Sequence, residues 1–314
     1  MSTHDNSAMP AGDGPAFWYA SFVSLWLYYQ ADADLLDKML ADAGTQLKAF
    51  RFDGKGLVNI DFMSYGSHSG MNDPRAYAQI LQPVDLNAKD GPPGFGVEPT
   101  NECEFNIVSY PVARTDQTPI GLSLADFLAG NDRTKTIGSY RLYVPCDDRI
   151  AVYWGSRNFG ENKVMTHPFL YNVPSFNNPG QARWRFTIPG AIDEPYAPNP
   201  DAVRCQPFMF SGDVDISAVR PTIANSSEII DYSLLMDGTD RRLAGSRRNV
   251  FGAFLTYDLK GASGWQATLT LGDSRHPLVA AMRAILGSNP VPVAAQTFQS
   301  QPVVAESAPY YADI

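Results

Sequence analysis

Residues 57–63 carry the pattern that most constrains the fold. Apolar side chains occupy every second position, and the positions between them include Asn59 and Asp61. Successive side chains of a β-strand point to opposite faces, so this alternation predicts a strand with one fully apolar face. The opposite face combines Leu57 and Met63 with a carboxylate, which needs a partner if it is buried.

Strand-like runs recur along the chain and outnumber helical patterns. An Asp53-Gly54 turn separates two of them, and further runs extend over 17–29, 47–52, 57–65, 105–112, 140–144, 149–154, 183–188, 208–211, 214–217, 229–236, 250–259 and 265–271. The predicted helices are short, at 35–43, 123–130 and 278–286. The sequence therefore predicts a β-rich α+β fold with a curved or barrel-like sheet.

Three regions of the chain differ in composition. Residues 1–15 are small and polar, and we expect a disordered N-terminal tail. Residues 16–287 contain the periodic segments and predict one domain, because β-rich folds of this size occur as single units. Residues 288–314 include Pro290 and Pro292 without regular periodicity. This last region predicts a flexible extension or an arm laid on a neighbouring subunit.

Charge and hydropathy argue against nucleic-acid and membrane partners. The 314 residues carry a formal net charge of -9 with a pI near 4.9, which disfavours binding to a phosphate backbone. We interpret the basic doublets Arg241-Arg242 and Arg247-Arg248 as a solvated loop. Apolar runs fall short of a membrane span, and the first residues lack the basic region of a signal peptide. We therefore expect a cytoplasmic protein.

The cysteines and histidines lack the spacing of a metal site or a disulfide framework. Cys103, Cys146 and Cys205 are dispersed and form no CxxC pair. The four histidines show no ligand spacing either. We expect a protein that uses neither a metal nor another cofactor.

Lys163 follows an apolar run, residues 150–154, and a glycine-containing turn, residues 155–160. A lysine on a solvated face does not indicate a functional role, because its charged ammonium group simply reaches water. In an apolar site, desolvation disfavours the ammonium and lowers the pKa of the amine. A neutral amine attacks carbonyl carbons and forms a Schiff base. The local sequence leaves both interpretations open.

Several motifs, in order, resemble those of the acetoacetate decarboxylase family. Gly155, followed eight positions later by Lys163, is similar to the family's segment from Gly-Arg-Glu to Pro-Lys. Glu104, at the start of a predicted strand, matches a second carboxylate beside that of Asp61. The resemblance extends over residues 17–287. It implies a cone-shaped antiparallel β-barrel with flanking short helices, a lysine Schiff base, a cofactor-independent lyase and a homo-oligomer.

The chain departs from the family pattern at positions near the lysine. Ser156-Arg157 stands in place of Arg-Glu, Asn162 in place of proline, and Val164 in place of a second lysine. Phe22 occupies the position of an arginine expected to hold the substrate carboxylate. The loss of both cations argues against acetoacetate as the substrate. It favours a larger, less charged or aromatic oxo acid.

We expect Asp61 and Glu104 to point into the pocket that holds Lys163. There they would orient the amine and transfer protons during imine formation. The alternative for both acids is a structural salt bridge or solvation at a strand end.

Four further residues are candidates for substrate binding. Phe22 and Trp154 would supply apolar surface. Arg157 would either grip a substrate carboxylate with its planar guanidinium or form a structural salt bridge. His68 is an acid–base candidate or a loop histidine.

The residues and the resemblance together predict a lysine Schiff-base enzyme that acts on a small-molecule oxo acid. The first hypothesis is decarboxylation of a 3-oxo acid other than acetoacetate. An aldolase-dehydratase is an alternative that passes through the same imine. A non-catalytic module that binds a small oxo compound is the other alternative.

Overall fold

The computed structural model describes residues 17–69, 99–174, 181–199, 204–224, 228–250, 252–300, 304–306 and 310–311. The predicted disordered tail, residues 1–15, lies outside them. The strands are β1 Phe17–Ala31, β2 Leu47–Ala49, β3 Gly56–Ser69, β4 Thr100–Pro111, β5 Gly138–Cys146, β6 Lys163–Met165, β7 Leu170–Asn172, β8 Arg183–Pro189, β9 Ala197–Asn199, β10 Arg204–Gln206, β11 Phe208–Asp215, β12 Thr222–Ala224, β13 Glu228–Asp237, β14 Asp240–Val250, β15 Phe254–Asp258, β16 Gln266–Leu271, β17 Ala294–Ser300, β18 Val304–Glu306 and β19 Tyr310–Tyr311. The helices are α1 Ala33–Asp42, α2 Leu124–Leu128, α3 Arg149–Asn158 and α4 Pro277–Leu286, with a 3-10 segment at Val112–Gln117. Strands dominate, and the predicted β-rich class is confirmed.

Thirteen of the described strands form one large sheet. Its order is β12-β15-β17-β1-β18-β14-β13-β5-β4-β2, while β3 pairs with both β1 and β4, β6 with β5 and β19 with β14. Strand pairing continues from β1 through β3, β4, β5, β13, β14 and β18 back to β1. Among the described strands β12 and β2 each have one neighbour and form free ends of the strand order. With these free ends the sheet is not the simple closed barrel that the resemblance implied. A smaller sheet has the order β16-β11-β8-β7.

The alternation predicted for residues 57–63 organises the centre of the large sheet. Ile60 and Phe62 face a core cluster that extends to the smaller sheet. There the Phe62 ring stacks on that of Phe186, with centroids 5.1 Å apart. The other face of β3 carries Asp61 and packs in a second cluster. The acid is therefore enclosed within the fold, at 1 % exposure.

The helices begin at polar caps, as the sequence predicts for two of them. The Asp32 carboxylate accepts hydrogen bonds from the first turn of α1, and the Ser123 hydroxyl accepts one from the first turn of α2. Pro277 occupies the first turn of α4, where its missing N–H has no cost. None of the helices in the described ranges is long and apolar enough to cross a membrane.

The run at residues 150–154 was predicted as a strand and is helical. It lies in α3, which begins after Asp148. The carboxylate of Asp148 accepts a hydrogen bond from the backbone N–H of Ala151 at 2.6 Å. A short apolar run fits a buried strand and a buried helix equally well, so its periodicity could not separate the two.

Part of the predicted C-terminal extension is an integral strand. β17 lies between β1 and β15, and its residues pair with β1 from Tyr28↔Ala294 to Phe22↔Ser300. Ala294 and Phe298 are buried. A flexible arm therefore does not describe residues 294–300, because their backbone completes the sheet beside the first strand.

Candidate active site

Lys163 is held in the large sheet by the strand that it begins. β6 pairs in parallel with β5 through Val144↔Lys163. The preceding residue, Asn162, accepts a hydrogen bond from the backbone N–H of Val144 through its carbonyl. Its side-chain amide also donates to the carbonyl of Leu142 at 2.8 Å. Asn162 thus anchors the chain next to Lys163 at the position where the family pattern has proline.

Gly155 of α3 lies directly against the Lys163 side chain. A Cβ at position 155 would lie 2.1 Å from Cε of Lys163 and 2.4 Å from Oε2 of Glu161. Real Cβ atoms do not approach other atoms so closely, so a side chain at position 155 would displace the ends of the Lys163 and Glu161 side chains. This contact gives a physical reason for the Gly155–Lys163 spacing noted in the sequence.

The Lys163 amine is buried and contacts two carboxylates. Its side chain is 4 % exposed; Nζ forms a close ion pair with Oε2 of Glu102 and lies 3.2 Å from Oε2 of Glu161. The hydroxyl of Tyr65 donates to the same oxygen of Glu102 at 3.0 Å. Burial of Lys163 agrees with its predicted position, but the surroundings are ionic rather than apolar.

The electrostatics of Lys163 differ from the sequence-based expectation. Burial alone would lower the pKa of its amine, but the charges of Glu102 and Glu161 outweigh that effect and raise the pKa above its usual value. The expected lowered pKa is therefore wrong. The free site holds Lys163 as an ammonium ion.

Asp61 and Glu104 are neighbours on adjacent strands and share a cation. β3 pairs with β4 through Asp61↔Glu104. Arg248 of β14 lies 3.3 Å from Oδ2 of Asp61 and 2.9 Å from Oε1 of Glu104. The same oxygen of Glu104 lies 3.1 Å from Nε of Arg141. In this structure both acids contact arginines, while Lys163 contacts Glu102 and Glu161.

The pKa values of Asp61 and Glu104 are shifted in opposite directions. Burial would raise the pKa of Glu104, but Arg141 and Arg248 outweigh it and lower that pKa to about 2. Burial and the charge of Glu104 raise the pKa of Asp61 well above its usual range, and Arg248 offsets this only in part. Glu104 is therefore ionised at neutral pH, whereas Asp61 retains its proton more readily.

Arg141 connects these acids to the lysine. Besides Glu104, its guanidinium forms a close ion pair with Glu161 and a 2.8 Å ion pair with Asp231 of β13. We call the resulting network the buried ion cluster; its members are Asp61, Glu102, Glu104, Arg141, Glu161, Lys163, Asp231 and Arg248. None of their side chains is more than 6 % exposed. Charges this deeply buried persist only because they are paired.

The predicted substrate-binding residues fall in different places. Phe22 is buried, and its ring stacks on that of Tyr65 with centroids 6.3 Å apart, so it lies close to the Lys163 end of the cluster. Arg157 is exposed near the end of α3, with its guanidinium 5.8 Å from the ring centroid of Tyr153.

Two further candidates are described only by their backbone. Trp154 precedes Gly155 in α3. His68 lies in β3 and pairs with Trp18 of β1. The side chains of both residues lie outside the described part of the chain.

Several members of the buried ion cluster are not predicted from the sequence. Arg248 was interpreted as part of a solvated loop, but it is 1 % exposed in β14. Its neighbour Arg247 is exposed, as the alternation of a strand requires. The same alternation puts Glu102 on the face of Glu104, two positions away, and could have identified it.

No protein-family model matches the chain, and no curated protein sequence matches it. Solved structures do match its fold. The enduracididine biosynthesis enzyme MppR complexed with pyruvate superposes with a TM-score of 0.52 at 12 % identity, over 98 % of this chain and 95 % of that one. An acetoacetate decarboxylase superposes with a TM-score of 0.51 at 11 % identity, over 97 % and 91 %.

A further match is an acetoacetate decarboxylase-like enzyme from Sphingomonas wittichii RW1, with a TM-score of 0.49 at 14 % identity over 94 % of each chain. The fold of this chain is the one shared by acetoacetate decarboxylase-like proteins. The low identities fit a divergent member of that structural class.

Proposed function

We propose that the protein is a lysine Schiff-base lyase that acts on an oxo acid, with Lys163 as the nucleophile. The observation that supports this most is the buried amine of Lys163 between two carboxylates, in a fold shared with acetoacetate decarboxylase. A buried amine next to proton acceptors has the two properties that imine formation needs, namely exclusion of water and a base.

Glu102 is the base in this proposal. Because the pKa of Lys163 is raised, the amine must lose a proton before it attacks, and Oε2 of Glu102 is its closest acceptor. The neutral amine then adds to the substrate carbonyl carbon. Glu102 returns its proton to the hydroxyl of the carbinolamine, water leaves, and the iminium ion remains. The carboxylate of Glu161, 3.2 Å from Nζ of Lys163, lies beside the new positive charge and stabilises it.

The iminium ion then acts as an electron sink. In a 3-oxo acid the bond between C2 and the carboxyl carbon breaks, carbon dioxide leaves, and the electron pair forms an enamine. Asp61 is the proposed proton donor to the enamine carbon, since its raised pKa keeps a proton available. Glu104 acts as a positioning residue through Arg141, which contacts Glu161. Hydrolysis releases the ketone and restores the lysine.

The cations of the cluster favour a substrate other than acetoacetate. Arg141 and Arg248 are both paired with carboxylates, so neither offers an isolated positive charge to a small anion. Phe22 supplies apolar surface beside Tyr65. A 3-oxo acid with a longer chain would bury more of its surface here.

An aldolase-dehydratase is the second candidate. The similarity in fold to MppR complexed with pyruvate favours it. In that reaction the iminium of a 2-oxo acid loses a proton to form an enamine, which attacks an aldehyde before water is lost. A binding module without chemistry is the remaining alternative.

Reductive trapping tests the proposal. The protein is incubated with a longer-chain 3-oxo acid such as 3-oxohexanoate, or with pyruvate and an aldehyde, in the presence of cyanoborohydride, and peptides are analysed by mass spectrometry. We expect a reduced adduct on Lys163. Lys163→Arg keeps the positive charge but cannot form an imine, so it should give no adduct. Lys48→Arg, at an exposed lysine of β2, is the matched control.

Carbon dioxide release and aldol condensation, assayed on one preparation, then separate the two reactions. An adduct distributed over exposed lysines, or an equal yield from Lys163→Arg, would contradict the Schiff-base proposal.

A further inference from the structure

The face of the large sheet that carries Asp61 is called the inner face here. On it, several polar atoms are buried without a hydrogen-bond partner in the described part of the chain. They belong to Ser24 and Trp26 of β1, Asn59 and Asp61 of β3, and Asn106 of β4. Each of these residues is no more than 6 % exposed. Buried polar atoms are normally paired, so a group of them on one face indicates a place that a polar ligand occupies.

Strand register makes these atoms one contiguous patch. Trp26 pairs with Asp61, and Tyr28 pairs with Asn59, which in turn pairs with Asn106. Adjacent strands lie about 4.8 Å apart, and same-face neighbours on one strand lie about 6.7 Å apart. Over three rows and three strands the patch therefore spans about 13 Å by about 10 Å, which is the size of a small molecule.

The patch adjoins the lysine. Ser24 pairs with Met63, and Met63 pairs with Glu102, which holds the Lys163 amine. Ser24, Met63 and Glu102 thus form a row across the three strands beside Lys163. The other unpartnered atoms, beginning with that of Trp26, lie in the rows further from Lys163. The opposite end of the patch meets a cleft lined by Trp26, Tyr28, Phe254 and Gln296.

The atoms require a ligand that both donates and accepts hydrogen bonds. The side-chain carbonyl oxygens of Asn59 and Asn106 accept only, whereas the indole N–H of Trp26 donates only. The orientation of Asn106 is fixed, because its amide nitrogen donates to Glu104 at 2.8 Å. A hydroxyl or a carboxamide combines a donor and an acceptor in one small neutral group.

We propose that this inner-face patch is a substrate subsite that binds a neutral hydroxyl or carboxamide group, carried a few carbons from the carbonyl that reacts with Lys163. The inference rests on the proposed function for the role of Lys163. Among the longer-chain oxo acids of the proposed function, it selects those whose chain ends in a hydrogen-bonding group.

A matched pair of ketones tests the subsite. 5-Hydroxypentan-2-one and hexan-2-one have the same chain length and differ by a terminal hydroxyl in place of a methyl. Their affinities for the full-length protein are measured by calorimetric titration without reductant. We expect the hydroxy ketone to bind at least about tenfold more tightly. Asn59→Leu should bring the ratio of affinities close to one, and Trp26→Phe should reduce it while keeping an aromatic ring.

The outcomes separate the subsite from the chemistry. If the hydroxyl preference persists in Lys163→Arg and disappears in Asn59→Leu, the subsite is correct whether or not trapping succeeds. Equal affinities in the wild type, an unchanged ratio in a folded Asn59→Leu protein, or no binding of the hydroxy ketone overturns the subsite; the unpartnered atoms then hold water. Trapping of both ketones at equal rates would leave the Schiff-base proposal intact.

Discussion

Gly155 and Lys163 are in direct contact, and a single added carbon on Gly155 would lie 2.1 Å from Cε of the lysine. A larger residue at position 155 of α3 would therefore force the side chains of Lys163 and Glu161 to move. This contact ties the shape of the backbone to the position of the amine.

Gly155→Ala should displace the Lys163 side chain and destabilise the protein. Forcing an extra carbon into packed surroundings costs about 1–3 kcal/mol of unfolding free energy. We also expect the rate of reductive trapping at Lys163 to fall at least about tenfold, because the amine leaves its carboxylates. Urea unfolding and mass spectrometry measure the two effects. Ser156→Ala, at the exposed next position of α3, is the control and should change neither quantity.

Glu102→Gln should shift the pH dependence of trapping to lower pH. The charge of Glu102 is the largest influence that raises the pKa of Lys163, so its removal lowers that pKa and frees the amine at lower pH. The maximum rate should also fall, since the amide accepts no proton. Trapping rates measured across pH in wild type and variant give both effects. A midpoint that stays in place would show that Glu102 does not control the amine.

Glu104 should make the protein sensitive to acid in a defined window. Its folded pKa is about 2, below the ordinary value of 4.5, so its stabilising contribution is complete above about pH 4.5 and is lost as the pH falls through 2. Glu104→Gln should flatten this part of the curve of stability against pH. It should also cost about 3–5 kcal/mol at neutral pH, because Arg141 and Arg248 lose a buried partner.

The surface variant Asp42→Asn provides the comparison for Glu104. Asp42 pairs with Lys38 in solvent, with both side chains more than half exposed. Such pairs contribute little, so the variant should stay within about 1 kcal/mol of the wild type. Equal acid sensitivity of the Glu104→Gln and Asp42→Asn proteins would disprove the assignment.

The expected homo-oligomer stays a prediction. Light scattering at micromolar concentration should give a particle larger than the 34.4 kDa chain. A monomer mass would remove this expectation and leave the site unaffected, because the cluster described here is built from one chain.

The sequence predicted the strands whose side chains alternate but not which of their acids meet the lysine. Period-two alternation identified the inward position of Asp61, and it applies equally to Glu102 and Glu104. Whether Glu102 or Glu104 contacts the lysine depends on the register of β4 against β5 and on the parallel pairing of β6. That register is set by contacts between distant segments, which the local pattern does not contain.

The helix α3 and the strand β14 also show what the local sequence pattern could not predict. The apolar run at residues 150–154 fits either type of element, and the polar cap at Asp148 decided for helix. In β14 two adjacent arginines looked solvated, yet alternation buries Arg248 and exposes Arg247. Ion pairs with Asp61, Glu104 and Asp231, which lie on three other strands, offset the free energy of burying the Arg248 charge.

The pairing of β17 with β1 has a consequence for how the chain is made. The hydrogen bond between Tyr28 and Gln296 spans 268 residues. While the ribosome is still adding the residues between them, the first strand emerges with one of its flanks uncovered. Contacts this distant in sequence slow folding, because a long loop must close before they form. The nascent chain therefore carries an unprotected aromatic strand for most of its synthesis, and chaperone binding during translation should concentrate on residues 17–31.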